Sequence, residues 1–281
     1  MRTHIDCFPC FIRQTTIALS QFSDNHALGE EVIKEVLRIV QSADTARPPA
    51  YTTTLIHRLI REKVGQDPFR KVKRAYNTLA MGLYAELKAR IRRSEDPLWT
   101  ASRLAISGNV IDFGIYTSID IESSILRSLE THIAVDDYEM FREDLDRSEE
   151  ILYLLDNAGE IVFDRLLIEE LAAMGKKVRA AVKGSAVLND VTSEDAGQTG
   201  LQDICEVIDN GSDAVGTILE WTSPEFRARY AGAELVISKG QGNFETLTGN
   251  GKKAYFLFQS KCDVVSKELG LSPGSMLLKK S

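Results

Sequence analysis

Asp156 and Asn157 close an apolar run, Ile151–Leu155, and are followed by Gly159 and the amphipathic stretch IVFDRLLIEELAAMG. An acid and an amide where a buried strand turns into a helix put two hard oxygen donors at the helix's first N–H groups. Asp190, in LND behind a second apolar run, adds a third oxygen donor. A few hard oxygen ligands with positions left open suit Mg²⁺ or Mn²⁺ holding a substrate phosphate. Taken singly, Asp156 also reads as a helix N-cap and Asn157 as a turn residue.

Lys239 follows another apolar run inside SKGQGNFET. Gly240 and Gly242 expose backbone N–H groups beside it, Asn243 adds an amide, and the lysine supplies a point charge for phosphate. The spacing is neither that of Walker A nor G-x-G-x-x-G, so it reads as an anion site rather than a nucleotide site. A glycine-rich turn with a solvated lysine is the plainer account. SGNVIDFG (107–114) carries Asn109 and Asp112 between glycines and reads either as a cleft-lining segment or as a linker.

Cys7 and Cys10 form a C-x-x-C. A structural zinc site needs four ligands. Cys205 lies in a strand-like run and reads as core, whereas Cys262, after the last run, is the better third thiol and His4 a conceivable fourth ligand. A thioredoxin-like role needs a preceding strand, and none is apparent. Two readings stay open for Cys7, Cys10 and Cys262: inert packed thiols, or a joint site, either a second metal or a thiol cluster. His4, His26, His57 and His132 form no pair at ligand spacing, and none is assigned to catalysis.

Two textures of sequence must position these residues. From about residue 7 to 147 the period is helical: Ile33, Val36, Leu37 and Val40 share a face, as do Leu79, Leu83 and Leu87, and Leu126, Leu129 and Ile133. RPP (47–49) and DP (67–68, 96–97) interrupt it. From about residue 148, short apolar runs at 150–156, 177–183, 204–209, 233–239 and 253–259 alternate mostly with helical or mixed stretches. That pattern predicts a parallel sheet covered on both faces, a Rossmann-like three-layer α/β/α arrangement. The expected domains are 1–147, mostly helical, and 148–281, α/β. In such sheets ligands bind outside the carboxyl ends of the strands, and DNAGE, KGSAVLND, DNGSDAVGT and KGQGNFET all fall there.

Composition limits the function. The chain has 281 residues, 43% apolar and 27% charged, with a net charge of −7. That acidic balance argues against a nucleic-acid partner. No apolar run reaches membrane-spanning length, and the start, MRTHIDCFPCFIRQ, reads neither as a secretory signal nor as a transit peptide. A cytoplasmic protein acting on a small molecule is expected.

Several segments together resemble the DUF89, or damage-control phosphatase, family, with the prokaryotic branch nearest: DCFPCFIRQ, GNVIDFG, DNAGEIVFDRLLIEEL, LNDVTSEDA, NGSDAVGT, SKGQGNFE and KCDVVSKELG. The resemblance runs over most of the chain. It implies a helical N-terminal domain packed on a Rossmann-like domain, and a phosphatase of small phosphometabolites, often sugar phosphates, dependent on Mg²⁺, Mn²⁺, Co²⁺ or Ni²⁺. It implies that Asp156, Asn157 and Asp190 bind the metal, that Lys239 binds phosphate, and that Asn109 and Asp112 face the same pocket. Two nucleophiles remain open, water and a carboxylate such as Asp156. The alternatives are a carboxyl methyltransferase using S-adenosylmethionine and a non-catalytic metal- or metabolite-binding protein.

Overall fold

Five helices come first among the described residues: α1 (Cys7–Ser20), α2 (His26–Gln41), α3 (Pro49–Val64), α4 (Arg70–Arg93) and α5 (Pro97–Ser107). The structure is a computed structural model and describes residues 1–21, 26–108 and 129–281. The prolines that interrupt the helical period also start helices. Pro49 and Pro97 occupy first-turn positions, where the missing N–H is not needed. Asp96 then caps α5 by accepting a 3.0 Å bond from the Trp99 N–H. In α4 the buried residues Lys73, Asn77, Ala80, Leu87 and Ile91 recur at helical spacing, so one stripe of this long helix faces inward.

The sheet follows as β1 (Ile133–Asp136), α6 (Tyr138–Asp146), β2 (Glu150–Leu154), α7 (Glu160–Ala173), β3 (Lys177–Val182), α8 (Ser193–Gln198), β4 (Glu206–Asp209), α9 (Pro224–Gly232), β5 (Leu235–Lys239), α10 (Gln241–Leu247), β6 (Ala254–Gln259), α11 (Asp263–Glu268) and β7 (Met276–Lys280). The strand order is β1-β7-β6-β5-β2-β3-β4. The five runs expected as strands form its continuous parallel part, β6-β5-β2-β3-β4. β7 joins β6 antiparallel and β1 pairs with β7 in parallel, so these two run against the rest. Ile133, expected on a helical face, begins β1. With four residues at a sheet edge, β1 carries too short a pattern for the period to be read. The expected α/β fold with a mainly parallel sheet is present.

The largest core lies on one face of the sheet and joins Leu87, Ile91, Leu104 and Ile106 of α4 and α5 to Phe163 and Leu167 of α7. The opposite face packs Phe226, Phe244, Phe256 and Phe258. A third core ties α1, α2 and α3 together through Phe11, Val36 and Ile60. Position 147/148 is therefore a change of sequence texture, while packing runs across it through α4, α5 and β1. Among the described residues no helix is long and apolar enough to cross a membrane.

β2 sits between β3, the next strand in the chain, and β5, which arrives later. The connection that leaves β2 runs to β3 and the one that leaves β5 runs the other way, to β6, so the crevice between the carboxyl ends of β2 and β5 is the switch point of the sheet.

Candidate functional site

The segment after β2 is held by the segment after β3. Asp156 O accepts from Val191 N at 2.9 Å, Ala158 N donates to Asn189 O at 2.9 Å, and Asn157 and Asp190 form an antiparallel bridge. Two strands expected to be adjacent thus bring Asp156, Asn157 and Asp190 together. Leu188, two residues before Asp190, has φ 45°; it is the one non-glycine residue with positive φ among the described residues. Such backbone persists only where its surroundings impose it, and it gathers at functional sites. Gly159 (φ 78°) makes the turn into α7 and donates to Asn77 Oδ1 at 2.7 Å, which ties the loop to α4. Gly240 (φ 78°) lets β5 end directly beneath the Asp156 carboxylate.

Charge at this point is out of balance. Asp156, Glu160, Asp164 and Asp190 are buried there, and the buried cations among them are Lys183 and Lys239. Fully ionised, these four carboxylates against two ammonium groups would leave −2, which one divalent cation would neutralise. Lys73 touches the Asp190 carbonyl at 3.4 Å but is engaged by Asp67 and Asp195. Burial first, then Asp190 and Glu160, push the Asp156 carboxyl well above its ordinary range; Lys261 and Lys183 oppose this in part. Asp190 is also raised, by burial, against the pull of Lys183, whose Nζ stands 3.3 Å from Oδ2. Asp190 Oδ2 is buried and makes no hydrogen bond.

These features fit a hard divalent cation. The donors are carboxylate and amide oxygens, one carboxylate oxygen lacks a hydrogen bond, and the charge deficit is that of the ion. Asn157 Nδ2 donates to Asp156 Oδ2 at 2.6 Å and to Glu160 Oε2 at 3.1 Å, and Oδ1 accepts no hydrogen bond among the described residues. The set holds two carboxylates and an amide. Among the described residues no three His, Cys, Asp or Glu side chains form a group able to hold a metal.

Asp156, Asn157 and Asp190 line a cavity of about 670 Å³ between the strand ends and the N-terminal helices, with Gly242 on its wall. Lys239, expected to contact phosphate, is not on that wall. Its Nζ is fully buried and donates to Ala105 O (2.8 Å), Glu160 Oε1 (2.6 Å) and Asp164 Oδ1 (2.6 Å). Burial lowers the affinity of Lys239 for its proton, but Asp164 and Glu160 outweigh that and hold the ammonium above its usual value. Asn243 is likewise turned inward, bonded to Thr217 Oγ1, Leu155 O and Lys239 O. Gly240 is buried under Asp156 rather than open to a ligand. Asn109 and Asp112 lie outside the described residues.

Cys7, Cys10 and Cys262 line this same cavity as free thiols. Burial raises Cys7 and Cys10 above the ordinary thiol range, and Cys262 adds to the rise in both. Gln14 Nε2 donates to Cys10 Sγ and Gln241 Nε2 to Cys262 Sγ, each at 3.5 Å. A thiol-held metal finds no ligand group here among the described residues. His4 is engaged with Asp6.

Four site residues escaped the sequence reading: Glu160, Lys183, Lys261 and Glu245. Glu160 looks like an ordinary acid in a helix's first turn. Lys183 had a signal, because a Lys-Gly pair stands at the end of the apolar run 177–183 as one does at the end of 233–239. Lys261 and Glu245 line the cavity from segments distant in sequence from Asp156.

The family model for the damage-control phosphatase ARMT1-like domain matches residues 3–277. A damage-control phosphatase of Archaeoglobus fulgidus is 31% identical over 97% of this chain and 97% of its own length. An uncharacterized protein of Methanocaldococcus jannaschii is 35% identical over 98% of this chain and 94% of its own. The crystal structure of a DUF89 family protein from Pyrococcus horikoshii superposes with a TM-score of 0.93 at 29% identity, covering 100% of this chain and 99% of that one.

Proposed function

We propose that this chain, which belongs to the damage-control phosphatase ARMT1-like (DUF89) family, is a metal-dependent phosphatase of small phosphorylated metabolites. The observation that carries the reading is the meeting of Asp156, Asn157 and Asp190 at the switch point, on the wall of a cavity backed by a buried cluster richer in carboxylates than in ammonium groups. The relatives named as phosphatases support it.

In this reading Asp156, Asn157 and Asp190 would hold Mg²⁺, Mn²⁺, Co²⁺ or Ni²⁺, which would supply positive charge to offset that of the phosphate. Lys261, exposed on the cavity wall and close enough to pull the Asp156 carboxyl down, takes the phosphate-facing role first given to Lys239. Lys183, 3.3 Å from Asp190 Oδ2, opposes the rise of that carboxyl and orients it. Transfer of the phosphoryl group to water, directly or through the Asp156 carboxylate, breaks the bond from phosphorus to the ester oxygen and leaves that oxygen to be protonated. The helices α1 and α3 close the far side of the cavity through Pro9, Arg13 and Thr53, so the organic part of the substrate meets the N-terminal helices. A small phosphorylated metabolite as partner, with neither nucleic acid nor membrane, and a cytoplasmic location belong to the same proposal.

The test is phosphate release from a panel of phosphometabolites with each of the four metals, with and without chelator. Release that stops with chelator and returns with metal is expected. Release unaffected by chelator, or absent with every substrate and metal, overturns the reading.

A further inference from the structure

An asparagine can bind a hard cation through Oδ1 only, so something must decide which end of its amide faces the cavity. Asn157 has both Nδ2 protons committed, to Asp156 Oδ2 at 2.6 Å and to Glu160 Oε2 at 3.1 Å. Asp156 is itself one of the proposed ligands, so its hold on Asn157 competes with its other role. Glu160 has no such conflict. It is 1% exposed, and its second oxygen is taken by Lys239 at 2.6 Å.

Lys239 is in turn anchored from two further sides. Its Nζ reaches the α5 carbonyl of Ala105 and Asp164 of α7, and Asp164 also receives the Tyr153 hydroxyl at 2.8 Å. An ammonium has donors only. It therefore presents itself to one Glu160 oxygen and leaves the other to accept from Asn157.

We infer that Lys239 and Glu160 are positioning residues that set the Asn157 amide with Nδ2 inward and Oδ1 toward the cavity. This rests on the metal site proposed above. Residues that orient ligands in this way commonly govern about 10–100-fold in metal affinity.

The experiment uses Glu160→Gln. The substituted amide must give its oxygen to Lys239, because two sets of N–H groups repel. Its NH₂ then faces the Asn157 NH₂, and the Asn157 amide must turn or retreat. The Glu160→Gln/Asn157→Asp double variant restores a donor–acceptor match with residue 160 at the same net charge, gives up the bond to Asp156 Oδ2, and leaves an oxygen toward the cavity. Mn²⁺ alone is the probe, titrated into the full chain and followed by the signal of free Mn²⁺.

Glu160→Gln is expected to bind Mn²⁺ at least tenfold more weakly than wild type while melting within a few degrees of it. The double variant is expected to recover most of the loss. A second readout needs no metal. In asparagine-labelled protein the Asn157 side-chain NH₂, assigned by its absence in Asn157→Asp, should exchange slowly with water in wild type and faster in Glu160→Gln. Equal Mn²⁺ affinity in Glu160→Gln, or a double variant no better than the single, overturns the inference. Wild type that binds no Mn²⁺ overturns the metal site instead. The exchange measurement then still decides the orientation, and unchanged exchange in Glu160→Gln would sink it.

Discussion

The Asp156 carboxylate occupies the space that a side chain at Gly240 would fill: a Cβ there would stand 1.9 Å from Asp156 Oδ2. Two strand ends thereby share one site, and β5 contributes an absence of side chain. Gly240→Ala is expected to expel the carboxylate and to strain a backbone at φ 78°. We expect a loss of about 1–3 kcal/mol in stability from the strain alone. Mn²⁺ should no longer raise the melting temperature. Denaturant titration with and without Mn²⁺ checks both.

Asp156→Asn separates function from stability. The wild-type carboxyl is raised by burial, Asp190 and Glu160. A carboxyl raised on folding costs stability increasingly as pH climbs above its unfolded value toward its folded one. In the absence of metal, Asp156→Asn is therefore expected to melt above wild type at pH 8. Added Mn²⁺ should then do nothing for it. A variant that melts lower at pH 8 and still responds to Mn²⁺ would remove Asp156 from the site.

Metal removal has its own signature. Saturating Mn²⁺ at about 100 times its dissociation constant should stabilise the wild type by about 2.7 kcal/mol. The gain should shrink toward pH 5, because protons compete for the raised Asp156 and Asp190 carboxyls. Thermal melts at pH 5 and 8, with chelator as reference, measure it. A gain independent of pH would contradict the carboxylate site.

Lys239→Met should damage stability far more than substrate affinity. It leaves Glu160 and Asp164 buried without their cation. Breaking such a group by removing one partner costs about 3–5 kcal/mol. Denaturation midpoint and KM, the latter at saturating Mn²⁺ so that a weakened metal site does not enter it, test this. A large rise in KM at unchanged stability would return Lys239 to the phosphate.

Glu245 gives a pH-dependent term away from the oxygen site. Burial pushes its carboxyl up to about 7, against the hydrogen bond from Gln241 and the pull of the N-terminal amine. The raised value means the folded state holds the proton that the unfolded state releases. Stability therefore falls as pH rises from the unfolded value, 4.5, to about 7 and is flat beyond. Glu245→Gln should gain on wild type over that window, by up to about 3 kcal/mol at pH 8. Parallel stability curves for the two proteins would refute this.

The order of apolar runs determined much of this molecule. Four of the five parallel strands, β2, β3, β5 and β6, are buried along most of their length, so their composition is apolar whatever their neighbours are, while β4 at the sheet edge is only partly covered. The polar ends of all five gather on one edge. That order puts Asp156, Asn157 and Asp190 at neighbouring strand ends, and the glycine at 240 is plain in the sequence. The antiparallel edge was not legible: β1 and β7 are short and draw their stability from pairing with strands distant in sequence. The direction of Lys239 was decided by tertiary structure. Along β5, Leu235 and Ile237 face the core under α4, α5 and α7, and period-two alternation puts Lys239 on that same side. Only the packing of α7 against that face sets Glu160 and Asp164 there to receive it. The charge deficit belongs to the same class of fact. A sequence counts acids and bases over the whole chain, whereas the deficit depends on which of them burial strips of water at one point in space.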